Sequence, residues 1–182
     1  ELLANKIREK IKDVDYIIPV PDTSKPVALA LSDKLKIDYR EAITKNRYVN
    51  RTFIMNTQEK RKSNIKRKLN IVKEYIEDKN IIIVDDSIVR GNTIKHIINL
   101  LRRNKVKDIY VVSASPEIIN ENVYGIDIPT KCELFCNNKK KEELIKELNI
   151  KDIFFQDIND LQNSIICFNP DIKNFELSVF LK

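Results

Sequence analysis

Short apolar runs alternate with longer amphipathic segments along most of this chain. Runs of β-branched residues, such as the one at 81–84, are typical of buried strands. Two prolines close the first of these runs, which marks the end of a strand. The pattern predicts strands at residues 15–20, 38–43, 80–84, 108–113 and 152–155.

Apolar positions three or four residues apart predict helices between these strands. In the segment that begins at Ser63, the predicted apolar face comprises Ile65, Leu69, Val72 and Ile76. The predicted helices are 2–12, 24–36, 63–77, 92–103, 131–136, 139–148 and 159–168.

Alternating strands and helices are typical of an α/β fold with a mostly parallel sheet flanked by helices on both faces. With 182 residues the chain has the length of one ordinary domain. Residues 44–62 and 117–129 show neither the helical nor the strand periodicity of apolar residues, and they are expected to form irregular loops. Ligands of such sheets bind at the carboxyl ends of the strands, so functional residues are expected there.

The segment 81–93 carries the most specific chemistry of the chain. An apolar strand is followed by Asp85 and Asp86, by Gly91, which permits a tight turn, and by Thr93, which we predict to cap a helix. A helix N-terminus offers N–H groups to a phosphate, and adjacent carboxylates suit a divalent cation. The pattern favours a sugar-phosphate site. The alternatives are plain turn residues, or an acidic pair that binds Mg²⁺ as in two-component receiver domains.

A second polar cluster, Asp22, Thr23 and Ser24, follows the first predicted strand. Its ordinary interpretation is a helix N-cap, because side chains of these types accept hydrogen bonds from the first turn. The alternative is that a hydroxyl contacts a ligand. Both strand ends belong to one rim of the predicted sheet, so the two motifs are expected to face one site.

Charge and cysteine usage narrow the function classes. The net charge of +6, with a basic run at 60–73, fits a solvated helix face, a nucleic-acid patch or a polyanionic small substrate.

Cys132 and Cys136 lack the two further ligands of a structural zinc site. Three cysteines without a CxxC pair or a signal peptide indicate a reducing compartment, so we expect a cytoplasmic location, or an organelle if a targeting segment was removed. No stretch has transmembrane length, so no membrane partner is expected.

Seven segments spread over nearly the whole chain carry a specific family resemblance: 19–24, 45–54, 67–70, 84–91, 122–129, 155–161 and 175–180. In this order they resemble the glutamine phosphoribosylpyrophosphate (PRPP) amidotransferases, or amidophosphoribosyltransferases. The segment with the acidic pair resembles the PRPP-binding loop of type I phosphoribosyltransferases, in which a hydrophobic strand precedes two acidic residues and a small-residue loop.

The resemblance implies a type I phosphoribosyltransferase fold over residues 1–182, with a flexible lid loop at about 44–62. The lid would close over PRPP and exclude water from a cationic intermediate. Its basic groups would neutralise the leaving pyrophosphate, and Arg47 and Lys68 are counted among the catalytic residues. By motif match the residues implied at the pyrophosphate are Lys45, Arg47, Tyr48 and Lys68.

The resemblance also implies roles at the ribose phosphate, for which 84–93 is the PRPP loop. Asp85 and Asp86 would engage the ribose hydroxyls and Mg²⁺, the implied cofactor, and either Thr23 or Ser24 would add a hydroxyl to the metal. Tyr124 and Asp127 would help to form a nucleotide pocket. The residues implied at the 5′-phosphate are Ser87, Ile88, Val89, Arg90, Gly91, Asn92 and Thr93.

The implied reaction is displacement of pyrophosphate from PRPP by ammonia, which gives 5-phosphoribosylamine in the first step of purine biosynthesis. Full-length members of the family make this ammonia from glutamine in an N-terminal glutaminase domain. Nothing in these 182 residues corresponds to that domain, so no glutaminase activity is expected from this chain alone. Asn122 and Val123 precede Tyr124, and no cysteine pair follows Phe180, which resembles the branch without an iron–sulfur cluster. The implied partners are purine nucleotides as feedback inhibitors and further copies of the chain, and nucleic acid is not expected.

Two departures from the family pattern and two other functions stand beside this interpretation. Asn92 stands where the family commonly has Thr or Ser, and Asn50 stands where the lid commonly has Gly. Asparagine donates hydrogen bonds and tolerates positive φ, so both positions remain compatible with binding. One alternative is a non-catalytic regulator that senses PRPP or nucleotide, although no helix-turn-helix segment supports it. The other is base salvage, which would share the PRPP loop but not the later segments.

Overall fold

The computed structural model describes residues 1–45, 69–122 and 130–181. The strands of this part are β1 (Tyr16–Pro19), β2 (Asp38–Tyr39), β3 (Ile43–Lys45), β4 (Leu69–Ile71), β5 (Asn80–Asp85), β6 (Asp108–Ser113) and β7 (Asp152–Phe155). Five of them form one sheet in the order β2-β1-β5-β6-β7, with every neighbouring pair parallel, and β3 and β4 form a separate antiparallel ribbon.

Helices connect and cover the sheet strands. Two 3₁₀ turns, Lys73–Tyr75 and Lys131–Glu133, complete the regular structure of the described residues. In those residues, no helix combines the length and the apolar character needed to cross a membrane. The helices are α1 (Leu2–Arg8), α2 (Lys25–Leu35), α3 (Asn92–Arg103), α4 (Lys141–Leu148) and α5 (Ile158–Phe168).

Alternation along the central strand divides the core into two layers. Successive side chains of a strand point to opposite faces, and every residue of β5 is buried. Ile81 and Ile83 pack in one cluster with side chains of α3 and α4, while Ile82 and Val84 pack in a second cluster with α1 and α2. The sheet is therefore covered on both faces, and the predicted fold class is confirmed.

The structure confirms most predicted strands and helices. The helix at 92–103 and the strands at 108–113 and 152–155 have the predicted bounds. Others differ by a few residues, as the first helix does: it was predicted to run to residue 12 and ends at Arg8. These well-predicted elements have strong apolar periodicity and pack directly on the sheet, so local pattern and tertiary contact agree.

The predicted strand at 38–43 is wrong, because it is two strands in two different sheets. β2 pairs with β1, and its last contact with the main sheet is the bond from the Arg40 amide to the Ile17 carbonyl at 3.0 Å. The chain then leaves the sheet, and β3 pairs with β4 instead. Its partner comes from a distant part of the chain, which a local pattern does not reveal.

The predicted helix at 63–77 is also wrong over its described part. Leu69–Ile71 is β4, an antiparallel partner of β3, and the Val72 amide extends the pairing by donating to the Ala42 carbonyl at 2.9 Å. Apolar residues at 69 and 71 flank a polar one, which suits a strand as well as a helix, and the partner strand decides the outcome. The remainder of this prediction, 63–68, lies outside the described residues.

The ribbon brings Lys45 and Leu69 together. Lys45 and Leu69 are paired across β3 and β4, so their Cα atoms are neighbours. Thr44 and Lys45 therefore belong to a strand, although they were predicted to begin the lid loop. The rest of the predicted lid lies outside the described residues. The predicted helix at 131–136 is also wrong: only Lys131–Glu133 forms a 3₁₀ turn.

Burial at the sheet predicts a large difference between two isoleucines that both lie in helices. Ile97 in α3 is fully buried, whereas Ile166 in α5 is 39% exposed. We expect Ile97→Ala to lower the free energy of unfolding by about 2 to 5 kcal/mol. Ile166→Ala, which changes helix propensity equally, should lower it by about 0.5 kcal/mol or less. Urea denaturation measures both, and equal losses would contradict the assigned core.

Candidate functional site

The carboxyl ends of β1 and β5 open into one cavity of about 400 Å³. These strands are neighbours, with Pro19 paired to Val84, so the residues that follow them are brought together. The cavity thus joins the two motifs that the sequence predicts to share a site. It is lined by Val20, Pro21, Thr23, Asp85, Asp86, Ser87, Ile88, Val89, Arg90, Gly91, Asn92, Thr93 and Ile94.

The acidic pair lies at the end of the central strand. Asp85 is the last residue of β5 and is only 7% exposed, while Asp86 is exposed. The Asp86 amide donates to Asp85 Oδ1 at 3.0 Å, and the Ser87 amide donates to Asp86 Oδ1 at 2.6 Å. Backbone bonds therefore fix both carboxylates at the floor of the cavity.

Burial, the larger cause, and the neighbouring negative charge of Asp86 together raise the pKa of Asp85 to about 7. Desolvation disfavours the ionised carboxylate, and like charges disfavour it as well. Near neutral pH, Asp85 is thus divided between its acid and carboxylate forms. A cation or hydrogen-bond donor in the cavity would favour the carboxylate.

The two hydroxyls of the second motif have different surroundings. Thr23 Oγ1 donates to Asp86 Oδ2 at 2.5 Å, and Thr23 lines the cavity. Ser24 is fully buried, and its Oγ donates to the Val20 carbonyl at 2.6 Å. Of the two candidates that the sequence left open, only Thr23 presents its hydroxyl to the acidic pair.

The loop after Asp86 ends in a helix N-terminus. Gly91 has φ of +72°, a left-handed conformation that glycine adopts without strain, and it is the N-cap of α3. The Lys95 amide makes the first intrahelical bond, to the Gly91 carbonyl at 2.9 Å. The amides of Asn92, Thr93 and Ile94 precede that bond, so they are the ones that a helix start offers to an anion.

The prediction that Thr93 caps this helix is wrong. Thr93 is the second residue of α3. The N-cap of this helix is Gly91, so no side chain caps it. A side chain caps a helix from the residue before its first turn, so a residue within that turn cannot do so. Backbone groups alone form this helix start, which leaves its positive end open to a ligand.

Three further residues that were predicted to bind PRPP have different surroundings. Ile88 lines the cavity but is 3% exposed and packs in the core. Arg90 Nε donates to Glu133 Oε2 at 3.2 Å, between two partly exposed side chains. Lys45 is an exposed residue at the end of β3 and is not among the residues that line the cavity.

Five predicted site residues lie outside the described residues, and their roles stay predictions. Three were predicted to lie at the pyrophosphate and two to form the nucleotide pocket. They are Arg47, Tyr48, Lys68, Tyr124 and Asp127.

The cavity offers two carboxylates and a hydroxyl to a cation. Across residues 1–45, 69–122 and 130–181, no cluster of three or more histidine, cysteine or acidic side chains could hold a metal by itself. Mg²⁺ needs no such cluster, because it is commonly bound by one or two carboxylates together with water and substrate phosphates. Asp85, Asp86 and Thr23 fit an ion whose remaining ligands come from the substrate.

A larger groove, of about 840 Å³, lies along the β7 edge. Lys6, one of its charged residues, is engaged by carboxylates of the same region: Lys6 Nζ lies 2.8 Å from Asp160 Oδ2 and 3.5 Å from Asp157 Oδ2. A ligand site needs a few polar groups that converge on open space, and the smaller cavity has them. We therefore assign the functional site to the smaller cavity.

Sequence reasoning missed the contacts that the loop makes with residues 133–135. The Phe135 amide donates to the Val89 carbonyl at 2.8 Å, and Glu133 pairs with Arg90. These partners lie more than 40 residues apart in the chain. The local signal was Gly91, because glycine is common where the backbone turns tightly or is approached closely.

Comparison with known proteins gives the family. A family model described as phosphoribosyl transferase domain matches residues 1–120. The chain is 43% identical to the amidophosphoribosyltransferase of Escherichia coli (strain K12) over 184 aligned residues, covering 98% of this chain and 36% of that protein. It is 37% identical to that of Schizosaccharomyces pombe, covering 99% of this chain and 34% of that protein.

Two solved structures extend the similarity to the fold. Glutamine PRPP amidotransferase from B. subtilis, complexed with ADP and GMP, matches with a TM-score of 0.76 and 31% identity, covering 98% of this chain and 38% of that one. A structure described as the allosteric regulatory enzyme of purine biosynthesis matches with a TM-score of 0.75 and 32% identity, covering 90% and 35%. The chain spans about a third of the length of these relatives. It belongs to the phosphoribosyl transferase family, and the predicted likeness to the phosphoribosyl transferase domain of amidophosphoribosyltransferases is confirmed.

Proposed function

We propose that this chain is a catalytic phosphoribosyl transferase domain that displaces pyrophosphate from C1 of PRPP with ammonia. The product would be 5-phosphoribosylamine, the first intermediate of purine biosynthesis. The observation that carries the proposal is the single cavity that joins an acidic pair, a hydroxyl and an open helix start. The acidic pair would suit the ribose hydroxyls and a bound cation, the Thr23 hydroxyl would support the acidic pair, and the helix start would suit the phosphate.

The phosphate end of the substrate would bind at the start of α3. Amides of Asn92, Thr93 and Ile94 would donate to the 5′-phosphate, favoured by the positive end of the helix dipole. Gly91 permits the left-handed turn that precedes these amides, because it has no side chain to meet the Phe135 ring. Binding through backbone groups tolerates Asn92 where the family commonly has Thr or Ser.

The ribose end would lie over the acidic pair. Carboxylates of Asp85 and Asp86 would accept hydrogen bonds from the two ribose hydroxyls and would be ligands for Mg²⁺. Thr23 holds the Asp86 carboxylate through its 2.5 Å hydrogen bond, which fixes its direction before substrate arrives. Mg²⁺, when bound, would supply positive charge to the pyrophosphate as it leaves.

The ammonia would be supplied by another part of a longer polypeptide. The activity would be regulated by bound nucleotides. The relatives are about three times the length of this chain, and we propose that ammonia derived from glutamine reaches this site from a glutaminase domain. One structural relative is described as complexed with ADP and GMP, which supports purine nucleotides as feedback inhibitors here. We also propose assembly into a homo-oligomer.

Similarity over nearly the whole chain supports amine transfer over base salvage. The acidic pair, which catalysis needs, supports an enzyme over a regulator that only binds nucleotide.

The direct test is pyrophosphate release from PRPP and Mg²⁺ at raised pH, where more of the ammonium is free amine. Release is expected with ammonium salts and not with glutamine. Asp86→Asn should lower the rate about 100-fold, because it removes a charge aimed at the reacting sugar. Asp33→Asn, at an exposed pair with Lys36, should leave it unchanged. Turnover with a purine base instead would indicate salvage, and PRPP binding without turnover would indicate a regulator.

Substitution of the two hydroxyls should separate their roles. Thr23→Val should reduce kcat/KM about ten-fold, because Asp86 loses the donor that orients it, and should leave the melting temperature unchanged. Ser24→Ala should leave kcat near that of the wild type but lower the free energy of unfolding by about 1 to 2 kcal/mol, since the buried Val20 carbonyl loses its donor. The reverse result would assign the ligand role to Ser24.

The raised pKa of Asp85 predicts how stability depends on pH in the absence of ligand. The pKa of Asp85 is about 7 in the folded chain and ordinary in the unfolded one, so the folded state binds more protons between these values. This contribution to stability is complete at low pH and is lost as pH rises through about 7. Asp85→Asn should therefore be more stable than the wild type at about pH 8, by roughly 2 kcal/mol.

Thermal unfolding at several pH values measures this difference, which should vanish at about pH 4. Asp33→Asn is the matched control, because a hydrogen bond from Lys36 lowers the pKa of Asp33. The control should not gain stability at high pH. An Asp85→Asn variant that is less stable at every pH would contradict the assigned burial.

A further inference from the structure

Residues 133–135 lie against three consecutive residues of the phosphate loop, 89–91. Glu133 pairs with Arg90 at 3.2 Å. Leu134 is 3% exposed and lies in a small apolar cluster against which Val89 packs. We call residues 133–135 the brace, and its third member makes the closest contact.

Phe135 lies directly beneath the turn at Gly91. A methyl group placed on Gly91 would come within 2.5 Å of Phe135 Cδ2 and 2.8 Å of Cγ. The ring therefore packs against the bare Cα of the residue that starts α3. The Phe135 amide also donates to the Val89 carbonyl at 2.8 Å, so backbone and side chain both hold the loop.

Phe135 is itself held in place by charged residues. Lys95 Nζ and Lys139 Nζ lie over the ring at 5.3 and 5.2 Å from its centroid, within the range of a cation–π interaction. Glu147 of α4 binds both ammonium groups at 2.6 Å. The ring is 2% exposed, so it is fixed by the core below and by this cluster at its face.

We propose that Phe135 is a positioning residue that sets the conformation of the phosphate loop and thereby the affinity for a sugar 5′-phosphate. This inference rests on the proposed function and assigns a role to a residue outside the acidic pair and the loop. The amides at the start of α3 bind an anion only when the Gly91 turn directs them into the cavity. The ring under that turn opposes its collapse toward the core.

The other explanation is that Phe135 is an ordinary core residue. A core residue contributes to global stability, and its loss leaves the ligand affinity of the folded molecules unchanged. A positioning residue changes the affinity and the local protection of the loop even where the protein remains folded. These two effects can be measured separately.

The test uses the 182-residue chain with Phe135→Leu, Phe135→Ala and a control, Leu148→Ala. Leucine keeps much of the apolar volume but loses the ring edge under Gly91, so this variant is expected to fold even if Phe135→Ala does not. Leu148 is 3% exposed in the same core cluster as Phe135 and lies outside the loop and the brace. Its substitution measures the effect of core loss alone.

Two measurements distinguish a positioning role of Phe135 from an ordinary core role. Calorimetric titration with ribose 5-phosphate should show affinity about ten-fold weaker for Phe135→Leu and unchanged for Leu148→Ala. Amide hydrogen exchange, without ligand, should show faster exchange at residues 87–94 in Phe135→Leu than at α4. In Leu148→Ala the exchange of the loop should not be selectively faster.

The outcomes separate the two proposals. If the wild type binds ribose 5-phosphate and Phe135→Leu binds it equally well, Phe135 is only a core residue and the proposed function stands. If the wild type binds no ribose 5-phosphate, the proposed function fails, and the role of Phe135 in ligand affinity fails with it. Unaltered exchange at 87–94 in Phe135→Leu would overturn the positioning role in either case.

Discussion

The burial of β5 on both faces is the constraint on which the rest of the structure depends. Its side chains alternate between two apolar clusters, and parallel strands flank it on both sides. A strand so enclosed is rigid, and whatever follows its last residue is held in a defined place. The acidic pair follows it, beside the end of β1 with Thr23, so core packing determines the geometry of the site.

Asp85 shows the cost of this arrangement. A carboxyl group at the end of a fully buried strand loses hydration, which raises its pKa to about 7. Burial destabilises the ionised form of Asp85, and a cation or hydrogen-bond donors on a sugar would stabilise it. Buried ionisable groups with such a shifted pKa are common at functional sites.

The proposed phosphate site is built largely from the backbone. Gly91 turns the chain, α3 offers its first amides, and no side chain caps the helix. Such a site tolerates changes of side chain but depends on the path of the backbone. Phe135 packs against Gly91 on that path, Glu133 pairs with Arg90, and Leu134 belongs to the apolar cluster against which Val89 packs.

The sequence by itself determined the α/β class, the bounds of the strongly periodic elements and the acidic and glycine motifs of the site. These depend on residues close together in the chain, where apolar spacing and turn chemistry act directly. Only the tertiary structure decided the division of 38–43 between two sheets, the strand at Leu69–Ile71, the hydrogen bond of Thr23 to Asp86 and the contact of Phe135 with Gly91. Each of these features depends on residues far away in the chain or on which side of a turn is buried. A local sequence pattern contains no information about either.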